Sequence, residues 1–410
     1  MSDRLPNLLR LAVILGSLLL LALQALQVAK GWDYYQYDWR AYYIGADLFI
    51  EGLDPYAFDL LEGRARELGL TPNDHPFLYA PYMLWAFAPL ALLSYPTAYF
   101  CWLALQIGAL AVVLRAALKT FGASPAITMA LLAIGLNGTV AAVLRTGQLA
   151  LMITALLMLA VMLIGRQKLV PATALVTVAA LPKLWPAPMF GLLLKRFEPR
   201  RVVLIVAGLA AFAAVIALGA LIHPEFQATF SAAMAEMTAG DRINGPQNGS
   251  ALNALRTGFA LVGGNIDTAN DIWLGLVAVV AVVALARYVQ TVRRDAVDPA
   301  YLYSLIALSL SLAMPRLMIY QWVVALPALA YVLTHMSSRT GAWILLAVAL
   351  VPTLYINRYA LGRDLHELLD SLVLVPWAFS NLVVAACAWL VLVTSGPDMA
   401  ATSPKPIRQD

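Results

Sequence analysis

Long apolar runs alternate with short polar turns along almost the whole chain. Runs approaching the roughly 17 to 25 residues that a helix needs to cross a bilayer recur between residues 8 and 394. Several of them are too short to cross fully. We predict spans near residues 8–28, 77–94, 97–118, 126–144, 148–165, 169–181, 184–195, 202–222, 271–290, 301–315, 317–334, 341–356 and 371–394. The pattern predicts an all-α polytopic membrane protein with about 10–13 transmembrane or re-entrant helices.

Composition indicates the same class. Hydrophobic residues make up 62% of the 410 residues and charged residues 12%, against about 25% charge in ordinary soluble domains. The net charge of +4 is spread over loop ends, which indicates membrane orientation and no nucleic-acid partner. We expect one integral membrane domain over residues 1–394. The Pro- and Ser-rich residues 395–410 are expected to form a disordered cytoplasmic tail.

The positions of Lys and Arg predict the orientation of the spans, because short cytoplasmic loops carry more of these residues. Arg4 and Arg10 place the N-terminus inside. Basic clusters between 195 and 201 and between 287 and 294 mark further cytoplasmic turns. This orientation places two large loops, 29–76 and 223–270, on the outer, periplasmic face.

Two stretches are poor candidates for straight spans. Residues 126–148 include several glycines as well as Asn137 and Arg145, which suits backbone that lines a polar cavity. We predict a re-entrant segment there that dips in from the outer face. The run 169–195 is broken at Pro182, Pro186 and Pro188, which predicts two short helices whose tip, residues 181–183, points to the same face.

The first outer loop is acidic and rich in tyrosine. Residues 31–74 hold nine acidic side chains against three basic ones. Within this loop, "WRAYYIGADLFIEG" and "YAFDLLEGRARELGL" space their apolar residues as amphipathic helices do. We interpret the loop as two amphipathic helices that lie in the membrane interface, where Tyr and Trp also prefer to lie.

Asp38 is the loop acid with the clearest candidate chemistry. It follows the first span closely and is flanked by Tyr37 and Trp39, so we expect it at the membrane surface. A partly desolvated carboxylate can have a raised pKa and accept a proton from a hydroxyl group. Asp33 is the nearest rival for this role, and spacing does not separate the two.

The predicted topology also places two basic residues at the outer face. Lys183 lies between prolines, and a buried lysine is costly in lipid unless it is paired or faces a cavity. Arg316 interrupts "SLAMPRLMIYQW", and its guanidinium suits a phosphate group. The alternatives are a snorkelling side chain for Lys183 and an internal salt bridge for Arg316.

The second outer loop is dense in polar side chains. In "GDRINGPQNGSALNALR", Asn248 and Arg256 are candidates for contacts with sugar hydroxyls. Loop packing explains these residues equally well. No His, Asp and Glu grouping has the spacing of metal ligands, so we expect no metal site.

Six weak motifs occur in a characteristic order: "YDWRAYYIGADLFIEGLDPY", "HPFLYAPYMLWAFAPLALLSYPTAYFCWLAL", "RTGQLALMITALLMLA", "LPKLWPAPMFGLLLKR", "NGPQNGSALNALR" and "SLAMPRLMIYQWVVALPAL". This order resembles the family 87 glycosyltransferases, over nearly the whole membrane region. The resemblance implies a GT-C fold and polyprenol-phosphate-mannose-dependent mannosyl transfer, with a catalytic aspartate in an outer loop.

The resemblance also implies roles for residues. Asp38 would be the general base, at the head of a D-x(3)-Y element with Tyr42. Lys183 would meet the donor phosphate, and Arg316 would be a second phosphate contact. Gln148, with its neighbour Gly147, would lie at the edge of the cavity.

One motif departs from the family pattern. Many members carry a Trp-x-His-His type element where this chain reads "RLMIYQW". Tyr320 or Gln321 would then take the place of a histidine, which bears on sugar and acceptor specificity.

The expected function is transfer of a sugar, with mannose first and a pentose such as arabinofuranose second. The donor would be a polyprenyl-phosphate sugar and the acceptor a hydroxyl of a lipid-linked or envelope glycan. No cofactor is expected, and the partners are these substrates and membrane lipids. We expect a multi-pass protein of a bacterial plasma membrane whose active site faces the periplasm. The alternative is a transporter or flippase of polyprenyl-linked sugars or other lipid anions, which needs the same cations but no base.

Overall fold

The computed structural model describes residues 15, 16, 19, 22–70, 77–121, 138–239, 248–336, 339–349 and 376–397. The α-helices in these ranges are α1 (Tyr37–Ile50), α2 (Phe58–Glu67), α3 (Tyr82–Ala91), α4 (Tyr95–Phe121), α5 (Gly138–Thr146), α6 (Ala150–Gly165), α7 (Leu169–Ala180), α8 (Pro199–Ile222), α9 (Pro224–Ala239), α10 (Ala251–Leu261), α11 (Ile266–Val292), α12 (Pro299–Ala313), α13 (Leu326–His335), α14 (Arg339–Ala349) and α15 (Pro376–Ser395). Two 3-10 helices cover Ala187–Leu193 and Ile319–Ala325. Residues 22–30 are also helical.

Helices of membrane-spanning length are present, as predicted. Among the described residues, α4, α8 and α11 are long and apolar enough to cross a bilayer. Helices α5 and α6 also qualify when they are taken as one broken span, with a bend of 120° between them. Shorter apolar helices occupy several other predicted runs. The prediction of an all-α polytopic membrane protein is confirmed.

Both predicted interruptions fall at breaks between helices. The bend between α5 and α6 lies at Gly147, although residues 122–137, which hold most of the predicted re-entrant segment, lie outside the described part of the chain. Helix α7 ends before Pro182, and a 3-10 helix begins after Pro186 and contains Pro188 in its first turn. The hydroxyl of Tyr82 donates to the carbonyl of Leu181 at 2.5 Å, which ties the tip at 181–183 to α3.

The first outer loop forms the two predicted helices, but the interfacial placement of the first helix needs correction. An interfacial helix buries one face, whereas nine of the 14 residues of α1 are buried. Trp39 of α1 has no exposed surface and stacks on Trp102 of α4, with 4.4 Å between ring centroids. Helix α1 packs against α3 and belongs to the protein core.

Helix α2 is attached to α1 by charge. Arg64 donates to Asp47 of α1 at 2.6 Å and also pairs with Glu51, the residue directly after α1. Its third carboxylate partner is Glu67, at 3.0 Å within α2. Because these groups are partly exposed, the cluster orients α2 more than it stabilises the fold.

Helix α6 is central to the arrangement of the site. It packs against α4, α7 and the 3-10 helix Ile319–Ala325. Its N-terminal end therefore lies where α1, the tip at 181–183 and the segment after α12 approach one another.

Candidate active site

Asp38 and Lys183 are joined through one glutamine side chain. Asp38 lies in the first turn of α1, and Gln148 lies just before α6. Gln148 Nε2 donates to Asp38 Oδ2 at 2.7 Å, and Lys183 Nζ donates to Gln148 Oε1 at 3.3 Å. The structure thus brings together three residues that the sequence marked in three separate segments.

Two tyrosine hydroxyl groups extend this network. The hydroxyl of Tyr79 donates to Gln148 Oε1 at 3.3 Å and lies 3.1 Å from the hydroxyl of Tyr42. Because the single proton of Tyr79 is directed at Gln148, Tyr42 is the donor within the tyrosine pair. Burial raises the pKa of Tyr42, so its phenol stays neutral and can donate.

Aromatic rings surround the ammonium of Lys183. Its Nζ lies 5.7 Å from the centroid of the Tyr79 ring and 5.6 Å from that of the Tyr320 ring, which is within cation–π range. Burial lowers the pKa of Lys183 to about 8, Asp38 opposes this shift and Arg316 adds to it. Both charged neighbours therefore act on the ammonium.

Gly147 permits the close approach of α1 to the bend between α5 and α6. Its φ is +77°, a conformation that glycine adopts without steric cost. A Cβ atom at this position would lie 2.6 Å from Cβ of Trp39 and 3.1 Å from its backbone nitrogen. The carbonyl of Gly147 accepts a 2.8 Å hydrogen bond from Trp102 Nε1. The positions of Asp38 and Gln148, one on each side of this contact, thus depend on a residue without a side chain.

Two further buried glutamines hold the backbone beneath this site. Gln106 of α4 donates to the carbonyls of Gln148, at 3.1 Å, and Val143, at 3.2 Å. Gln36 donates to Gln106 Oε1 at 3.0 Å, and its backbone N–H donates to the carbonyl of Arg145 at 2.6 Å. The start of α1 is therefore fastened to the end of α5 by amide groups.

Arg316 lies on a segment that is fixed through its backbone. Asn248 Oδ1 accepts a 2.9 Å hydrogen bond from the backbone N–H of Leu317, and the hydroxyl of Ser250 donates to the carbonyl of Pro315 at 2.8 Å. Arg316 is half-buried and forms no ion pair with the described residues. Within these ranges, the alternative of an internal salt bridge is not observed.

The remaining candidates make different contacts. Gln321 Oε1 accepts from the backbone N–H of Met318 at 2.6 Å and so caps the second 3-10 helix. Tyr320 is within electrostatic range of Asp38 and Arg316. Arg256 of α10 donates to Asn270 of α11 at 2.8 Å.

Sequence reasoning missed two residues of the network. Tyr79 lies in "HPFLYAPY", where the sequence analysis predicts the start of the span 77–94 and a family motif but no role for the tyrosine. Gln106 lies within an apolar run of α4. A polar side chain in such a run generally faces the protein interior, and this was the signal in the sequence that could have identified it. The partners of these side chains were not visible in the sequence.

The fold is that of an integral membrane protein in which one amide bridges a carboxylate and an ammonium, and Arg316 contributes to the electrostatics at that ammonium. The model of glycosyltransferase family 87 matches residues 77–315, which is more than half of the chain. The chain therefore belongs to glycosyltransferase family 87. No curated protein and no solved structure matches it.

Family membership shows that the protein is a membrane glycosyltransferase. The matched range contains Gln148 and Lys183, whereas Asp38 precedes it and Arg316 follows it by one residue. The transporter alternative has no comparable support. The donor, the acceptor and the roles of individual residues are matters of proposal.

Proposed function

We propose that this glycosyltransferase moves a sugar from a polyprenyl-phosphate donor to an acceptor hydroxyl by direct displacement. The observation that carries the proposal is the Asp38–Gln148–Lys183 arrangement, with Arg316 close enough to act on Lys183. It places a proton acceptor beside a pair of cations, which is what a reaction with a hydroxyl nucleophile and a phosphate leaving group requires.

The step balances without a nucleotide or a metal. The acceptor oxygen forms a bond to the anomeric carbon while its proton passes to the Asp38 carboxylate. The bond between the anomeric carbon and the phosphate oxygen breaks, and the electron pair leaves on polyprenyl phosphate. Lys183 and Arg316 stabilise the added negative charge. One displacement of this kind inverts the anomeric configuration.

The contacts favour Asp38 over Asp33 as the base. Asp38 is half-buried and accepts from Gln148. Asp33 is exposed, and its backbone carbonyl accepts a 2.8 Å hydrogen bond from Arg40. A base that is held in place and partly shielded from water is better suited to proton transfer.

The proposed substrates rest on the family resemblance. We propose mannose as the sugar, with a pentose as the second candidate, and a lipid-linked or envelope glycan as the acceptor. The donor tail would stay in the bilayer, and the active site would face the periplasm of a bacterial plasma membrane. No cofactor is required for this chemistry.

The decisive comparison is between two neighbouring acids. Purified wild type, Asp38→Asn and Asp33→Asn are assayed with labelled polyprenyl-phosphate mannose and a glycolipid acceptor. We expect Asp38→Asn to lose at least about 100-fold in transfer, because general bases contribute about 10²–10⁴-fold. Asp33→Asn should retain wild-type transfer at a similar melting temperature. Equal transfer by wild type and Asp38→Asn would overturn the role of Asp38.

The donor is identified separately, with a panel of polyprenyl phosphates that carry mannose, glucose or arabinofuranose. Transfer from the mannose donor supports the proposal as stated. Transfer from the pentose donor alone would replace mannose and keep the mechanism. Transfer from a nucleotide sugar, with none from any lipid donor, would overturn the proposed donor class.

A further inference from the structure

We propose that Gln148 is a positioning residue that separates the base from the phosphate-binding cation and holds each in its charged form. This inference rests on the proposed function, since it assigns roles relative to Asp38 and Lys183. It concerns how the site is organised before substrate arrives.

The orientation of the Gln148 amide is fixed by the chemistry of its partners. A carboxylate only accepts hydrogen bonds and an ammonium only donates them. The NH2 end must therefore face Asp38, at 2.7 Å, and the carbonyl end must face Lys183, at 3.3 Å. Tyr79, which donates to the same carbonyl oxygen, reinforces this orientation. The reverse orientation would set two donors against each other and two acceptors against each other.

The amide also prevents a direct ion pair. A buried carboxylate and ammonium in contact would satisfy one another, and the phosphate of a donor would then have to break that pair. In the structure, the ammonium instead donates to Gln148. Lys183 thus remains available to a phosphate, while Asp38 still contributes a favourable field at the ammonium.

The Gln148 backbone is held well enough for this task. Its carbonyl accepts from Gln106 at 3.1 Å, and the side chain is 5% exposed. The preceding Gly147 is in contact with Trp39, the residue after Asp38. The contact between α1 and the α5–α6 bend therefore fixes the position of the Gln148 amide relative to the Asp38 carboxylate.

Two substitutions separate positioning from space filling, because they act differently on the two charged neighbours. Gln148→Met removes the hydrogen bonds with Asp38 and Lys183, together with the one from Tyr79. In the pH–rate profile of sugar transfer, the acid limb reports ionisation of Asp38 and the alkaline limb reports loss of the Lys183 proton. The substitution should move the acid limb to higher pH and the alkaline limb to lower pH, by about one pH unit each. Gln148→Glu adds a carboxylate, which disfavours ionisation of Asp38 and favours the Lys183 ammonium. Both limbs should then move to higher pH.

The control lies at the other end of the same helix. Gln167 follows α6 and accepts a 2.9 Å hydrogen bond from Arg201, about 25 Å from the site by the rise of α6. Gln167→Met should leave both limbs in place. Binding of polyprenyl monophosphate as a function of pH provides a second readout of the alkaline limb that does not need turnover.

The outcomes are distinguishable. Opposite movements of the alkaline limb in Gln148→Met and Gln148→Glu support the inference. Unchanged limbs, or movement in the same direction in both variants, would overturn it even when Asp38→Asn is inactive. If Asp38→Asn retains transfer, the proposed base is wrong, and the binding curves still test the contact between Gln148 and Lys183.

Discussion

The two sides of the candidate site are built in different ways. Asp38 is held by side-chain packing and a close backbone approach, through Gln148, Gly147 and the stacked Trp39. Arg316 lies on a segment whose backbone is hydrogen-bonded to Asn248 and Ser250 from a remote loop. Proton transfer requires positions accurate to about an ångström, whereas charge stabilisation falls gradually with distance. We therefore propose that the acid side, which holds Asp38, mainly sets the turnover rate, and that the cation side, which holds Arg316, mainly sets donor affinity.

The largest effect is expected from a substitution at the close contact between Gly147 and Trp39, on the acid side. Gly147→Ala forces a side chain into a space only 2.6 Å from Trp39 Cβ and into a positive φ, so α1 must shift. We expect about a 100-fold loss of kcat, because a displacement of about 1 Å costs this much, with a smaller change in KM. The kinetics are measured at saturating acceptor.

The matched control for this variant is Gly165→Ala, at the end of α6, where nothing lies within 4 Å of the new Cβ. Its kinetics should stay at wild-type values. A Gly147→Ala enzyme that turns over normally would show that the close approach of α1 is not needed for catalysis.

A smaller effect is expected for Lys183→Met. Loss of a charged contact with phosphate should reduce kcat/KM by about 10- to 100-fold. The variant should nevertheless melt at a higher temperature near neutral pH, because folding lowers the pKa of this lysine from 10.5 to about 8. The unfolded chain then binds more protons between those values, so the lysine destabilises the folded state below about pH 8 and this cost decreases as pH rises.

Melting curves at about pH 7 and about pH 10 test the sign of this effect. The advantage of Lys183→Met over wild type should shrink at the higher pH. Lys168→Met, at an exposed lysine before α7, is the control. A variant that is less stable than wild type at neutral pH would contradict the assignment of Lys183 as a buried cation kept for function.

The smallest effect is expected for Asn248→Ala on the cation side. Removing Oδ1 leaves the backbone N–H of Leu317 without its 2.9 Å partner and loosens the segment that carries Arg316. We expect the KM for the donor to rise about 10-fold, which corresponds to about 1.4 kcal/mol, while kcat stays within about twofold. Asn265→Ala removes a similar hydrogen bond, the 2.8 Å cap of α11, and should leave KM unchanged. A fall in kcat for Asn248→Ala would remove the distinction between the two sides.

Much of this architecture was predictable because its causes are local. Apolar run lengths predicted membrane-spanning helices, and the prolines after α7 and the polar, Gly-containing stretch around Gly147 predicted breaks. Motif order pointed to the family that the comparison shows. These features depend on neighbouring residues along the chain.

What escaped prediction depends on tertiary contacts. The apolar spacing of α1 fits an interfacial helix equally well, and only packing against α3 and Trp102 shows that it is buried. Gln106 and Tyr79 are single polar groups whose role is set by the distant Gln148. No periodicity encodes such pairings.

Among the three long spans that the structure describes, α8 and α11 are the most apolar and the least covered by protein. Only 11% and 6% of their most hydrophobic windows are buried, against 39% for α4. With 24 and 27 residues, they are about 36 and 40 Å long, and so exceed a hydrocarbon layer of about 30 Å. Lipid acyl chains therefore form most of their surroundings, and bilayer thickness sets how far they must tilt. A short-chain detergent would replace that annulus poorly, so activity after extraction should depend on the thickness of the micelle or nanodisc around these two helices.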